Sequence, residues 1–421
     1  MQSGEWVENR APEGLQEASP DYVTRVFSTP SAIPTHAWDA LLVHETDPSP
    51  FMRHAYLSAL HESGSACIDA GWQAQFLTIW QGDSLVAAAP LYLKNHSYGE
   101  YVFDWAWANA YAQHGLSYYP KALVAVPFTP VPGARLLARD PHARAALVGA
   151  LIEHAKDEDL SSLHLLFGQP HDIEACTSAG MMLRHTVQFH WKNAAPTLPA
   201  SRGSLDEAGR DEQAEPRFTD FEHFLASLQQ EKRKKIRQER RKVAEAGVTF
   251  RWSRGADISA SDWAFFYRCY QRTYLEHGNA PYLTPDFFNR MAQTMPQHWL
   301  MFVAERGGQP IASSLIGIDA EARVAYGRYW GALERVDCLH FEACYYQPVA
   351  WCIAHGFVRF EGGAQGEHKM ARALLPVTTT SAHWLAHPSF ADAVERFLDR
   401  ERDGVAGYMA TLERHSPLRR A

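Results

Sequence analysis

Cysteine is scarce in this 421-residue chain: there are six, Cys67, Cys176, Cys269, Cys338, Cys344 and Cys352, and none is spaced as CxxC. That argues against a disulfide scaffold, a paired-cysteine zinc site and a redox dithiol. Long hydrophobic runs are missing too. The longest smooth apolar stretch, LVAAAPLYL (85–93), falls far short of the ~20 residues that span a bilayer. The first 20 residues carry no apolar signal-peptide core. Basic charge is not in excess: 40 Lys and Arg against 48 Asp and Glu leave a net charge of -8, so any polyanion site must be local. The absence of HExxH and EF-hand patterns argues against a metal, and the absence of GxSxG against a serine hydrolase. Glycine-rich phosphate loops of kinases and P-loop enzymes are also missing. The expectation is a reduced, soluble, cytoplasmic protein with no metal, no tightly bound cofactor and no membrane span.

What is present is a composition able to bury a large core, with 46% hydrophobic residues. Residues 1–20 read as a disordered tail, and 193–217, rich in Pro, Ser, Gly, Asp and Glu, as a flexible linker. They leave two domains, 21–192 and 218–421. The two resemble each other. FLTIWQGDSLVAAAPLYL (76–93) and MFVAERGGQPIASSLIGI (301–318) both read as β-hairpins turning at glycine. A gapless shift of 225 residues pairs Gly82 with Gly307, Val86 with Ile311, Tyr101 with Tyr326 and Trp105 with Trp330. Helical spacing over 141–158, 221–247, 260–276, 285–294, 341–356 and 388–414 alternates with short strands, so each half reads as α/β or α+β. Gly247 should end the basic helix 221–247, and Pro348 should kink 341–356.

Three segments carry candidate chemistry. The helix around 231–242 holds eight basic residues against two acidic ones, with Arg233, Arg237 and Arg240/Arg241 on one face and Lys234 beside it. Such a stripe suits phosphate, although a run of charge is ordinarily a solvated helix face. EGGAQGEHKMAR (361–372) leaves a strand through three glycines and crowds Glu361, Gln365, Glu367, His368, Lys369 and Arg372 together. Glu361, Glu367 or His368 could take a proton from an attacking amine, and Lys369 or Arg372 could stabilise an oxyanion or phosphate. After the first hairpin, Trp105, Trp107, Asn109, Tyr111 and His114 alternate with other residues as on a strand, an aromatic and amide wall suited to a sugar or peptide acceptor. Tyr329, Trp330, His340, Glu342, Tyr345 and Gln347 stand in the corresponding place of the second half. Simple packing is the competing reading for the aromatics, and helix-dipole complementation for Glu342.

WGALERVDCLHFEACYYQPVAWCIAHGFVRFEGGAQGEHKMARALLPVTTTSAHW (330–384) resembles the signature region of the FemAB-like, peptidoglycan biosynthesis or recognition branch of the GNAT acyltransferases. EKRKKIRQERRKVAEAGVTFRW (231–252) and WANAYAQHGLSYYPKALVAVPFTPVPGARLL (107–137) fit the same pattern. The resemblance implies two tandem GNAT-like domains, each a twisted mixed sheet flanked by helices, and acyl or aminoacyl transfer to a small-molecule or peptide amine acceptor. Fem-type relatives draw an aminoacyl group from charged tRNA and place it on a peptidoglycan precursor. That would make the basic helix, through Arg233, Lys234, Arg237 and Arg241, the donor-phosphate site. Acetyl-CoA-dependent GNATs carry an R/Q-x-x-G-x-G/A turn before the central helix. YWGALERVDCLHFEACYY (329–346) lacks it, which argues against acetyl-CoA and favours another donor, with aminoacyl-tRNA and acyl-CoA both left as donor classes. The alternative is a non-catalytic module of the same fold that recognises a cell-wall precursor or a partner protein. Donor, acceptor and oligomeric state stay open at this level.

Overall fold

The computed structural model describes residues 21–195, 216–364 and 366–419. The expected tail 1–20, most of the linker 193–217, and Gln365 lie outside the described residues. The linker ends that are described meet each other: the Ala195 amide donates to the Pro216 carbonyl at 2.6 Å. Asn193 pins both, donating to the Phe357 carbonyl and accepting from the Phe218 amide, each at 2.9 Å.

A four-stranded sheet, in the order β1-β3-β4-β7, opens the first half. It is built from Tyr22–Phe27 (β1), Phe76–Gln81 (β3), Ser84–Ala89 (β4) and Leu137–Ala138 (β7), with Trp72–Ala74 (β2), Leu91–Lys94 (β5) and Lys121–Val124 (β6) belonging elsewhere. The β3–β4 hairpin turns at Gly82, whose φ of 59° lies in the left-handed region. Its counterpart joins Trp299–Arg306 (β11) to Gln309–Asp319 (β12). The 225-residue shift carries one hairpin's register onto the other. Ile79↔Ala87 and Gln81↔Ser84 become Ala304↔Ala312 and Arg306↔Gln309. Even the β-bulge is duplicated, leaving Val86 unpaired in one hairpin and Ile311 in the other.

The halves diverge after the hairpin. In the second, Val324–Ala332 (β13) is the aromatic strand. In the first, Tyr101 lies in a loop and Trp105–Gln113 (α3) is a helix, correcting the strand expected there. Four alanines favour helix, and Trp107 and Tyr111, four residues apart, bury together against Tyr118, Leu385 and Leu398. Helices Thr35–Leu42 (α1), His54–Glu62 (α2), Pro141–Asp157 (α4) and Pro170–Ser178 (α5) complete this half with strand Ser162–Leu165 (β8).

The remaining strands form one eleven-stranded sheet, β10-β11-β12-β13-β14-β9-β15-β8-β6-β5-β2, that runs through both halves. Met182–Lys192 (β9), from the first half, lies between Arg359–Ala364 (β14) and Leu375–Leu385 (β15) of the second. Strand β15 in turn pairs with β8, and Val248–Arg254 (β10) forms the far edge. The halves therefore exchange strands across their junction, and a shared core seals it. Phe51 packs edge-on to Tyr326 at 5.2 Å, and Tyr56 to Phe287 at 5.4 Å.

The basic segment expected as one helix is two, Phe221–Ala226 (α6) and Gln230–Glu245 (α7). The break is tertiary: Leu228 bridges to Leu418, and the Gln229 amide donates to the Pro417 carbonyl, so the chain's end takes up the backbone between them. Gly247, at φ 74°, ends α7 as expected. Ala260–Glu276 (α8), Pro285–Thr294 (α9) and the closing Pro388–Arg414 (α12) match their expected spans. The segment around Pro348 is Leu339–Phe341 (α10), a π-helical stretch Glu342–Tyr346, and Gln347–Ala354 (α11). Pro348 sits in the first turn of α11, and the wider π winding upstream removes the clash its ring would make with the carbonyl four residues back.

Candidate active site

Strands β13 and β14 are parallel, joined by the helical crossover, and pair only over Val324↔Arg359, Ala325↔Phe360 and Tyr326↔Glu361. Beyond that point they separate. A cavity of about 370 Å³ opens at the split, lined by Gly327, Arg328 and Tyr329 of β13 and by Glu361, Gly362 and Gly363 of β14. The first half supplies the facing wall: Tyr98, Tyr101, Phe103, Trp105, Phe128 and, from β9, Gln188. Tyr274 and Tyr282 close it from the second half. Gly362 has no room for a side chain, because a Cβ there would overlap Leu374 and lie 2.9 Å from the Phe189 carbonyl.

Glu361 sits at the last paired position, buried. Its Oε1 lies 2.8 Å from Arg359 Nε, while Oε2 accepts no hydrogen bond among the described residues and lies 3.9 Å from His190 Nε2. Burial pushes its carboxyl up to about 8, against the pull of Arg359. His190, buried too and beside the cations Arg359 and Lys369, is held down to about 3 and so is neutral. A carboxylate with one free oxygen and a pKa near neutrality has the properties of a general base.

Arg328 owes its position to a bulge. Pairing with β12 jumps from Ile316↔Gly327 to Leu315↔Tyr329, leaving Arg328 as the extra residue. Two successive side chains, Arg328 and Tyr329, therefore line the same cavity. Arg328 Nη2 donates to the Phe128 carbonyl, Thr129 Oγ1 and Tyr329 Oη at 3.0–3.1 Å. Trp330, next along the strand, packs against His340 at 5.4 Å, in a cluster with Tyr345 and His368. Burial and the neighbouring His368 and Arg372 hold His340 down to about 4.

Of the residues singled out in the sequence, Trp105, Tyr329 and Glu361 line this cavity. The others lie elsewhere. Exposed Glu367 accepts from Tyr408 of α12 at 2.9 Å. His368 is exposed, with Nε2 3.3 Å from Tyr345 Oη. Lys369 is buried, donates to the Gly363 carbonyl at 3.2 Å, and is pushed down by burial to about 8. The Arg372 guanidinium is engaged by both oxygens of Glu239, each at 2.9 Å, and stacks 3.4 Å over Phe341. It clamps the loop to α7. Tyr111 is core, packed tilted against Phe390 of α12 at 4.1 Å, whereas Asn109 on α3 and His114 just beyond it are exposed.

The basic helix borders a second, open groove of about 590 Å³, lined by Arg237, Arg240, Arg241, Glu222, Glu342 and Gln347 among others. Arg237 pairs with Glu222 at 2.5 Å and Arg240 with buried Glu342 at 3.1 Å. Glu342 also accepts from Gln347 at 2.8 Å. Arg241 makes no ion pair among the described residues. Arg233 and Lys234 stand on the same helix outside the groove lining. Arg328, Gln188, Tyr274 and Tyr282 escaped sequence reading. In a regular strand Arg328 would face away from Tyr329, and only the bulge turns it in.

A mixed α/β chain of two tandem, strand-exchanging halves, with a cavity where parallel strands split, is a tandem GNAT-like protein. The FemAB-like family, described as peptidoglycan biosynthesis/recognition, matches residues 29–197 and 212–420, and the chain belongs to that family. The structure of FemX is similar at TM-score 0.50 and 10% identity, over 86% of this chain and 98% of FemX. L-PGS from Bacillus licheniformis gives 0.49 at 10% identity, over 87% and 97%. A tandem GNAT protein from the clavulanic acid biosynthesis pathway gives 0.42 at 11%, over 87% and 99%. No curated protein matches the chain. Among the described residues no helix is long and apolar enough to cross a membrane.

Proposed function

We propose that the protein is an N-acyltransferase that moves an acyl or aminoacyl group from an activated donor to an amine, with a peptidoglycan precursor as the acceptor class. The observation that carries this reading is the buried Glu361 carboxylate, one oxygen unpaired, at the mouth of the β13–β14 split. An amine that enters the cavity needs to lose a proton to attack, and Glu361, which lines the cavity, is the group that would receive it. The amine nitrogen bonds to the donor carbonyl carbon, and the C–O or C–S bond to the carrier breaks. The carrier leaves as alcohol or thiol, taking up a proton. Orientation of donor and amine in the cavity supplies much of the acceleration. No covalent intermediate on the protein is needed.

The donor fits a polyanion such as aminoacyl-tRNA, because Arg241 at the basic groove makes no ion pair among the described residues and the pyrophosphate turn of acetyl-CoA enzymes is missing. The test is equilibrium binding of bulk aminoacylated tRNA, uncharged tRNA and acetyl-CoA at one fixed salt concentration, followed by turnover with amine acceptors. Preference for charged tRNA, and transfer lost in Glu361→Gln, support the reading. Tight acetyl-CoA binding without a tRNA preference reassigns the donor. Ligand binding with no turnover for any pair points to a non-catalytic module.

A further inference from the structure

We propose that the cavity recognises its acceptor by a carboxylate: the ligand is an amine that also bears a free carboxylate, an amino acid or the C-terminal end of a peptide, with the carboxylate on Arg328. This rests on the transferase reading for the word acceptor, while the binding chemistry stands by itself. The bulge in β13 commits a guanidinium to the cavity where regular pairing would turn it away. That guanidinium has no carboxylate partner among the described residues. The nearby acid that lines the same cavity, Glu361, is engaged by Arg359 instead. Arg328 is packed 5.0 Å from the rings of Phe51 and Tyr329, and Nη2 is held by neutral oxygens alone. Nε is buried without a partner, and Nη1 makes no hydrogen bond among the described residues.

An arginine has no neutral form available near pH 7, so this half-buried guanidinium, held by neutral oxygens, keeps a charge that no carboxylate among the described residues offsets until an anion arrives. The three contacts on Nη2 fix the plane of the fork, which leaves it preorganised for a planar two-oxygen anion. A carboxylate matches that better than a phosphate does. Phosphate carries more charge and more acceptor atoms than one partly engaged guanidinium in an aromatic cavity can satisfy. Tyrosine and tryptophan walls then suit the apolar part of the ligand. Glu361 lines the same cavity, so a molecule that carries both groups can place its amine there while its carboxylate meets Arg328.

Trp105 lines the cavity, so tryptophan fluorescence can report occupancy. The probes are the tripeptide alanyl-lysyl-alanine, the same peptide with a C-terminal amide, and inorganic phosphate, titrated into the full-length protein at fixed ionic strength. The free carboxylate should bind about tenfold or more tightly than the amide, the worth of a charged hydrogen-bonded contact. Arg328→Gln should bring the two peptides to equal affinity, and Arg328→Lys should recover only part of the difference. The wild-type comparison stands even if a variant misfolds. Equal binding of acid and amide, binding of neither, or tighter binding of phosphate overturns the proposal. A protein that prefers the carboxylate yet transfers no acyl group keeps this inference and loses the transferase reading. One that acylates amines regardless of their carboxylates does the reverse.

Discussion

His164 of β8 and His383 of β15 face each other directly across paired strands, Nδ1 to Nδ1 at 2.8 Å, at the seam where the second half's last strand enters the first half's sheet. Both rings are buried, so one must donate and the other accept, and the accepting ring cannot be protonated at Nδ1 without breaking the contact. Burial holds His164 down to about 3 and His383 well below the usual histidine range. The seam between the halves is thus built on two neutral imidazoles.

Acidification should therefore loosen the seam. The unfolded chain protonates these histidines near pH 6.5 and the folded one does not, so their contribution is present above 6.5 and declines as pH falls toward 3. The slope is about 1.4 kcal/mol per pH unit for each histidine over that range. Glu361, raised to about 8, acts in the opposite sense: its stabilising contribution, full below about 4.5, is lost as pH rises through 8. Thermal melts of wild type and His383→Asn between pH 7 and 5 separate the two. The variant should melt lower at pH 7 but lose less on acidification; an unchanged slope would count against the neutral pair.

Glu361→Gln should cut transfer by about a hundredfold or more while peptide binding changes little, the usual loss when a general base is removed. In the wild type the base must be ionised, so the rate should climb with pH and level off above about 8. A pH–rate profile with a competent donor and acceptor checks both. A variant with near-normal turnover would remove Glu361 from the mechanism.

Lys121 is fully buried beneath the loop that walls the cavity, bonded to Glu100 and Ser97 at 2.8 Å and to Asp104 at 2.5 Å. Removing the ammonium leaves two buried carboxylates facing each other. Lys121→Met should lower stability by about 3–5 kcal/mol and, because residues 97–105 contribute Ser97, Tyr98, Tyr101, Phe103 and Trp105 to the lining, blunt ligand binding as well. Urea denaturation measures the first effect and fluorescence titration the second.

Gly331 brings β13 against α8, where an added Cβ would overlap the Cys269 carbonyl. Backbone cannot yield as a side-chain tip can, so Gly331→Ala should destabilise by about 3 kcal/mol. A lowered urea midpoint with an unchanged slope is the expected signature.

At the basic groove, pairing decides which arginine matters. Arg241→Gln should weaken tRNA binding and make its logarithmic salt dependence shallower by about one unit. Arg237→Gln, whose charge already meets Glu222, should do less. Binding isotherms across a salt series would show the ordering; equal effects would argue against a groove-specific contact.

Much of the architecture was already local in the sequence. Glycines at 82, 307 and 308 set the hairpin turns, and apolar spacing set α8, α9 and α12, because turn conformation and periodicity are properties of a few neighbouring residues. The 225-residue shift held down to the bulge, so the two hairpins share register as well as spacing. Glu361 was legible as a strand-end acid beside glycines. Tertiary structure alone decided the rest. The helix at Trp105–Gln113 and the break at Ser227–Gln229 answer to partners far along the chain, α12 and residues 417–418. The exchange of β9 and β15 is a long-range pairing with no local signature. Charge alone could not tell Arg372, spent on Glu239, from Arg328, which meets no acid among the described residues. A side chain's type is written in the sequence, but whether its charge is already satisfied depends on what the fold packs beside it.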